Sequence, residues 1–238
     1  MDTDTWASPV SIAPAPATIT GERKPIPPVP RILVITKTPP GTGGVGQLIL
    51  HDLCAQYPAG KMAFFVLGTA DPTYIPPGDG LGRAPVFFAG QHRYRPTGLQ
   101  VPVLRRAGNF AKYQLHRLSR VGGLIREACT AGYECKADVV WAVLDSPMVI
   151  HIARAVAERL SVPLLSQVWD PPDYLCLNEQ IDTWSARFVR RDFGAVLRAS
   201  SRCAVVSEAM QQAYRTEFGV DTILLHYGLE RRLWHGPA

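Results

Sequence analysis

The chain has 238 residues, 47% of them hydrophobic and 19% charged, with a formal net charge of +5. That length suits one large or two small domains with room for a sizeable core, and a balance so mildly basic does not by itself imply nucleic acid. Five cysteines, an odd number with no Cys-x-x-Cys pair, argue against a disulfide framework and a structural zinc site. Cys54, Cys129, Cys135, Cys176 and Cys203 read instead as reduced, mostly buried thiols of a cytosolic protein.

Residues 1–30 hold seven prolines among Ala, Ser and Thr. Proline removes backbone donors and pushes the preceding residue to extended geometry, so a disordered Pro/Ala-rich tail is expected there. Met1 to Val10 carries neither a basic n-region nor an apolar core and is not a signal peptide. No run of about 18 apolar residues exists, so no transmembrane helix is expected. The expected location is cytoplasmic, peripheral on the inner face of the membrane.

From Arg31 the pattern changes. Arg31 to Thr36 is a short β-branched run and reads as a buried strand. A Gly/Pro loop, a helix over Val45 to Tyr57 and a strand over Lys61 to Leu67 follow. Val86 to Ala89 is a weaker strand, and Phe110 to Ala131 reads as a helix weakened by Gly122 and Gly123. Ala137 to Leu144 is the next strand. Ser146 then stands as N-cap and Pro147 at the first position of a helix. Val162 to Trp169 is a strand, Asn178 to Ala199 a helix, and Cys203 to Val206 a strand. Ser207 caps a helix to Phe218, with Glu208 in its first turn, and Thr222 to His226 is a last strand. Pro171 and Pro172 read as a rigid turn. Strands alternating with helices predict an α/β, Rossmann-like, doubly wound parallel sheet with helices on both faces.

Three features carry chemistry. The first strand runs into a loop with Thr42, Gly43, Gly44 and Val45, behind which a helix directs free N–H groups outward, so an anionic group, usually phosphate, is expected there. Gly41-x-Gly43-x-x-Gly46 also matches the dinucleotide fingerprint, with Asp71 as the ribose partner, but Lys37 to Pro40 make the loop too long for it. Second, ligands of open α/β sheets bind beyond the carboxyl ends of the strands. Asp145, Asp170 and His226 occupy such ends, and the two aspartates are the catalytic candidates. Third, residues 80–126 hold nine Lys/Arg and no Asp or Glu, interleaved with aromatic and aliphatic residues. Arg93, Arg95, Arg105, Arg106, Lys112, Arg117 and Arg120 form a candidate surface for an anionic membrane or a phosphorylated acceptor. The loop lacks the Gly-Lys-Ser/Thr ending of a P-loop, and no metal-spaced His/Cys cluster occurs.

In this order, Arg31 to Val45, Ala137 to Trp141, Val205 to Met210 and His226 to Glu230 resemble the family 4-like retaining glycosyltransferases built from two Rossmann domains (GT-B). The resemblance covers about residues 31–238. It implies a tail over 1–30, an N-terminal, acceptor-side domain over 31–227, and a hinge over 228–238 towards a second domain. By resemblance, Gly43, Gly44 and Val45 contact the diphosphate of a nucleotide sugar, and Ser207, Glu208, His226 and Gly228 line the interdomain cleft. Many relatives carry a histidine near the end of the fourth strand; here Trp141 and Val143 occupy that region, with Asp145 as the substitute candidate.

The family's second domain holds the nucleotide, and the sequence stops at the hinge. The expectation is therefore one half of such an enzyme, truncated, broken or split between subunits, and inactive alone. The implied partners are a nucleotide-sugar donor, a glycan or lipid-linked acceptor, an anionic membrane surface and a separate donor-domain subunit, without nucleic acid, metal or resident cofactor. The alternatives are a nucleotide- or dinucleotide-binding module without transfer chemistry and a non-catalytic domain docking on a membrane or partner.

Overall fold

Ile32–Thr36 (β1) and Met62–Val66 (β2) are buried at every residue, as strands covered on both faces must be. In the computed structural model, which describes residues 28–41, 44–68, 84–90, 94–98 and 100–225, they join five more strands. These are Val86–Phe88 (β3), Val139–Val143 (β4), Leu164–Val168 (β5), Arg202–Val205 (β6) and Ile223–Leu224 (β7). All pairings are parallel, in the order β3-β2-β1-β4-β5-β6-β7. The expected α/β doubly wound sheet is therefore what the chain forms.

Side chains alternate across the sheet. Leu33, Ile35, Val140, Ala142, Leu164 and Val168 face one layer, packed by Pro102–Glu134 (α2), Pro147–Leu160 (α3), Pro172–Asn178 (α4), Thr183–Ala199 (α5) and Glu208–Phe218 (α6). Ile32, Val34, Met62, Phe64 and Val143 face the other layer, where Val45–Ala55 (α1) brings Leu50 and Cys54. Cys54, Cys129, Cys176 and Cys203 are buried and Cys135 is partly so; all five are free. Burial pushes the Cys54 and Cys176 thiols up to about 12, so they sit as neutral apolar groups.

Helix ends follow local chemistry. Ser146 Oγ accepts from Val149 N at 3.3 Å and Ser207 Oγ from Met210 N at 3.2 Å, as the expected caps should. The helix expected over 178–199 starts later, at Thr183 (α5), and Asn178 instead ends a separate helix, α4. The two prolines do not form a rigid turn: Pro171 is the N-cap and Pro172 the first residue of α4. Gln180 takes φ 54°, and Asp182 restarts the chain as α5 by accepting from Trp184 N and Ser185 N. The helix expected to start at Phe110 begins at Pro102, and Gly122 and Gly123 do not break it. Gly194 lets α6 approach α5, since a Cβ there would stand 2.8 Å from the Phe218 ring.

Three helices share one buried polar relay. Tyr113 of α2 donates its hydroxyl to His151 Nε2 of α3 at 2.9 Å, and His151 Nδ1 donates to Asp192 Oδ2 of α5 at 2.8 Å. Arg191 closes the chain on Asp192 Oδ1 at 2.9–3.0 Å. Burial alone would push the Asp192 carboxyl up, but the hydrogen bonds from His151 and Arg191 outweigh it and hold the group below the usual carboxylate value. A depressed acid contributes stability above its unfolded pKa of about 3.9 and loses it as pH falls through the lower folded value. Asp192→Asn should therefore cost about 1–3 kcal/mol at pH 7. The gap from wild type should narrow below about pH 4, as read by urea unfolding at several pH values. A gap independent of pH would mean that Asp192 acts by shape alone.

Candidate functional site

β1 leads outward to β2 and β3, and α2 then returns the chain to β4 on the opposite side of β1. The sheet's switch point thus lies between β1 and β4, where such folds open a crevice beyond the strand ends. Two segments meet there, residues 37–41 after β1 and residues 144–146 after β4.

Asp145 joins them. Its carboxylate accepts from Thr36 Oγ1 at 2.9 Å, from Lys37 N at 2.9 and 3.0 Å, and from Thr38 N at 3.0 Å. Burial pushes this carboxyl above the ordinary range; the N–H of Lys37, the Thr36 hydroxyl and the N–H of Thr38 pull it part of the way back. Both oxygens are thus engaged by the end of β1 and the residues after it, and Asp145 is placed as a brace for the start of the β1–α1 loop. Lys37 Nζ further ties the loop to Glu179 at 2.8 Å.

The braced loop delivers α1. Gly44 is its N-cap, in extended backbone with φ −176°, and a Cβ there would have nothing within 4 Å. No side chain caps the helix and its first turn holds no acidic residue, so the N–H groups of Val45 and Gly46 have no acceptor among the described residues. A positive φ was one structural reason to expect glycine at 44; the observed backbone removes it. Gly46 differs: a Cβ would stand 3.2 Å from the Trp169 indole at the end of β5, so this glycine seats the helix on the sheet.

Asp170, next to Trp169, is half-buried and has no hydrogen-bond or ion-pair partner among the described residues. It keeps a free carboxyl at the strand ends. Ser207 is consumed as the α6 cap, and Glu208 is exposed in the first turn of that helix. Thr42, Gly43, His226, Gly228, Arg93 and Asp71 lie outside the described residues, as do residues 1–27 of the tail expected over 1–30 and the hinge expected over 228–238. Arg95, Arg105, Arg106, Lys112 and Arg120 are exposed. Arg117 is not a free surface cation, because it bonds Gln114 and lies 5.5 Å over the Phe188 ring.

Sequence reasoning passed over Gln167. It follows Val143 in register on the α1 side of the sheet, 1% exposed, with both amide atoms unpaired among the described residues. A buried amide without partners costs about 1–3 kcal/mol. The signal was present as a lone Gln in an apolar strand.

No protein-family model matches the sequence, and no curated protein matches it. Among solved structures the chain is similar to HepE from Anabaena in complex with UDP and glucose, with a TM-score of 0.50 and 15% identity over 86% of this chain and 46% of HepE. It is also similar to UDP-N-acetylglucosamine 2-epimerase from Rickettsia bellii, with a TM-score of 0.42 and 13% identity over 81% of this chain and 42% of the epimerase. A third match is Arabidopsis thaliana UGT89C1 complexed with UDP-L-rhamnose, with a TM-score of 0.44 and 13% identity over 79% of this chain and 49% of that one. The chain spans less than half the length of each. At such identities the likeness is one of fold.

The two glycines should separate by experiment. Gly44→Val should cost no more than about 1 kcal/mol, the penalty of a poor N-cap residue, because backbone and space both accept a side chain. Gly46→Val should cost about 1–3 kcal/mol by pressing on Trp169. Chemical denaturation of both variants checks this, and the reverse ranking would contradict the geometry.

Proposed function

We propose that this chain is the N-terminal, acceptor-side domain of a retaining, family 4-like GT-B glycosyltransferase. In this reading it works with a second Rossmann domain, in the same or a separate chain, that grips a nucleotide sugar across the crevice. The observation that carries the reading is the start of α1. Its N–H groups, without an acceptor among the described residues, sit at the switch point, and Gly44 occupies a position with open space for a side chain. Glycine is acceptable as an N-cap, but a residue that leaves this space open also lets a ligand come close to the backbone.

The roles follow from the geometry. The amides of Val45 and Gly46, with the adjoining Thr42 and Gly43, contact the donor diphosphate, where the helix dipole favours negative charge. Asp145 positions that loop. Asp170, with its free carboxyl, is the remaining acid–base candidate. HepE was solved with UDP and glucose, so a UDP-sugar is the donor class to test first. The acceptor is a glycan or a lipid-linked sugar, and this domain presents it.

Titration of the 1–238 chain with UDP, UDP-glucose, GDP and NAD, followed by amide NMR, tests the reading. Uridine diphosphates at millimolar concentration should shift the amides of Val45, Gly46 and Gln47, and Gly44→Val should abolish the shifts. A ligand at a hundred times its Kd adds about 2.7 kcal/mol of stability, so the melting temperature should follow. Sugar transfer by 1–238 alone should be undetectable. Robust turnover by 1–238, or a response to NAD with none to the diphosphates, would contradict the assignment.

A further inference from the structure

The starts of two helices meet at the carboxyl edge of the sheet, beside the crevice. The chain reaches α5 from the carboxyl end of β5, by way of α4, and leaves it at the start of β6, so α5 begins at that edge. α2 runs the same way, towards the start of β4, and its first turns lie at the same edge. Glu179, shortly before α5, accepts from Lys37 Nζ of the loop after β1, so the start of α5 is tied to the crevice.

Helical spacing sets one face of each helix towards the other. Phe110, Tyr113 and Arg117 of α2 stand three and four positions apart, and so do Trp184, Arg187, Phe188 and Arg191 of α5. Ring contacts join the two faces. Phe110 meets Trp184 edge to face with centroids 6.0 Å apart and lies 6.2 Å from Phe188. The Arg117 guanidinium stands 5.5 Å over the Phe188 ring. Between the helices Phe110, Trp184, Arg187, Phe188 and Arg191 line a shallow cavity of about 380 Å³.

The charge in this cavity has one sign, because no carboxylate lines it. Arg117 bonds Gln114, and Arg191 bonds Asp192 while lying 5.3 Å over Phe188. Arg187 is exposed and has neither a hydrogen-bond nor an ion-pair partner among the described residues. Trp184 leaves 45% of its surface in water.

We propose that this cavity binds an acidic sugar, a pyranose carrying a carboxylate or a phosphate group. The apolar C–H face of the ring lies against the aromatic side chains, and the anion is held by Arg187, with Arg191 beside it. The planar guanidinium fork matches a carboxylate or a phosphate, and the rings add apolar contact area beside it. A neutral sugar would leave Arg187 without a partner. Nucleic acid needs a basic track along its backbone, whereas this is a pit of the size that takes a small ligand. The proposal deepens the transferase reading by naming the acceptor as an acidic glycan, seated beside the crevice on the α2–α5 flank. It rests on that reading for the purpose of the bound sugar and not for the binding itself.

The test is titration of the 1–238 chain, without any donor, with glucuronic acid, glucose-6-phosphate and glucose. The indole N–H of Trp184 is followed by NMR, its resonance identified by its loss in Trp184→Phe. At least one acidic sugar should shift it with a Kd of roughly 1 mM, and glucose should bind about tenfold more weakly or worse. The better of the two acidic sugars identifies the anion. Arg187→Ala should weaken that binding about tenfold, the loss of a charged hydrogen bond, while the melting temperature stays near wild type. Raising salt from about 0.1 M to about 0.5 M should weaken it as well. No shift with either acidic sugar, equal affinity for glucose, or indifference to Arg187→Ala would overturn the proposal. So would shifts confined to Val45 and Gly46, which would move the sugar into the crevice, or tighter binding of hexaglutamate, which would make the partner a protein. The uridine diphosphate titration is read at Val45 and Gly46, so loss of the transferase reading and loss of this one are told apart.

Discussion

The site depends on the Asp145 carboxylate holding the loop after β1. Where β1 ends, the amides of Lys37 and Thr38 leave the sheet, and a buried donor without an acceptor costs about 1–3 kcal/mol. Asp145 accepts from both and from the Thr36 hydroxyl. It arrives from β4, the strand on the other side of the switch point. The cost is a carboxylate drawn partly out of water. α1 then begins after its N-cap Gly44, with no acceptor for its first N–H groups among the described residues and with Gly46 against Trp169.

This arrangement divides the work between two aspartates that look alike in sequence, each following a strand. Asp145 has spent its oxygens on the backbone. Asp170, without a partner among the described residues, has not. In the proposed function Asp170 is therefore the acid–base candidate, and Asp145 acts through the loop. The Tyr113–His151–Asp192 relay lies on the other layer and fixes the helices against one another. It ties α2, α3 and α5 together.

Local chemistry was legible in the sequence where neighbours decide it. The buried strands, the caps at Ser146 and Ser207 and the parallel alternation needed only nearby residues. What was illegible rests on distant partners. Nothing near Asp145 announces a bond to Thr36, 109 positions away. The break between α4 and α5 turns on Gln180 at φ 54°, a conformation that its residue type does not advertise. Arg117 counted as a surface charge until Phe188, on another helix, was seen beneath it. Gly44 shows the converse: sequence alone cannot tell whether a glycine is there for a positive φ, and the extended backbone shows that this one is not.

The most direct test of this account is amide hydrogen exchange at Lys37 and Thr38, in the wild type and in Asp145→Asn. If the carboxylate braces the loop, both amides exchange slowly in the wild type despite lying outside any strand. In the variant both should speed up while Leu33 and Val34 within β1 stay protected. Amides that exchange at free-loop rates in the wild type, or that are unaffected by the substitution, would show that Asp145 does not hold the loop.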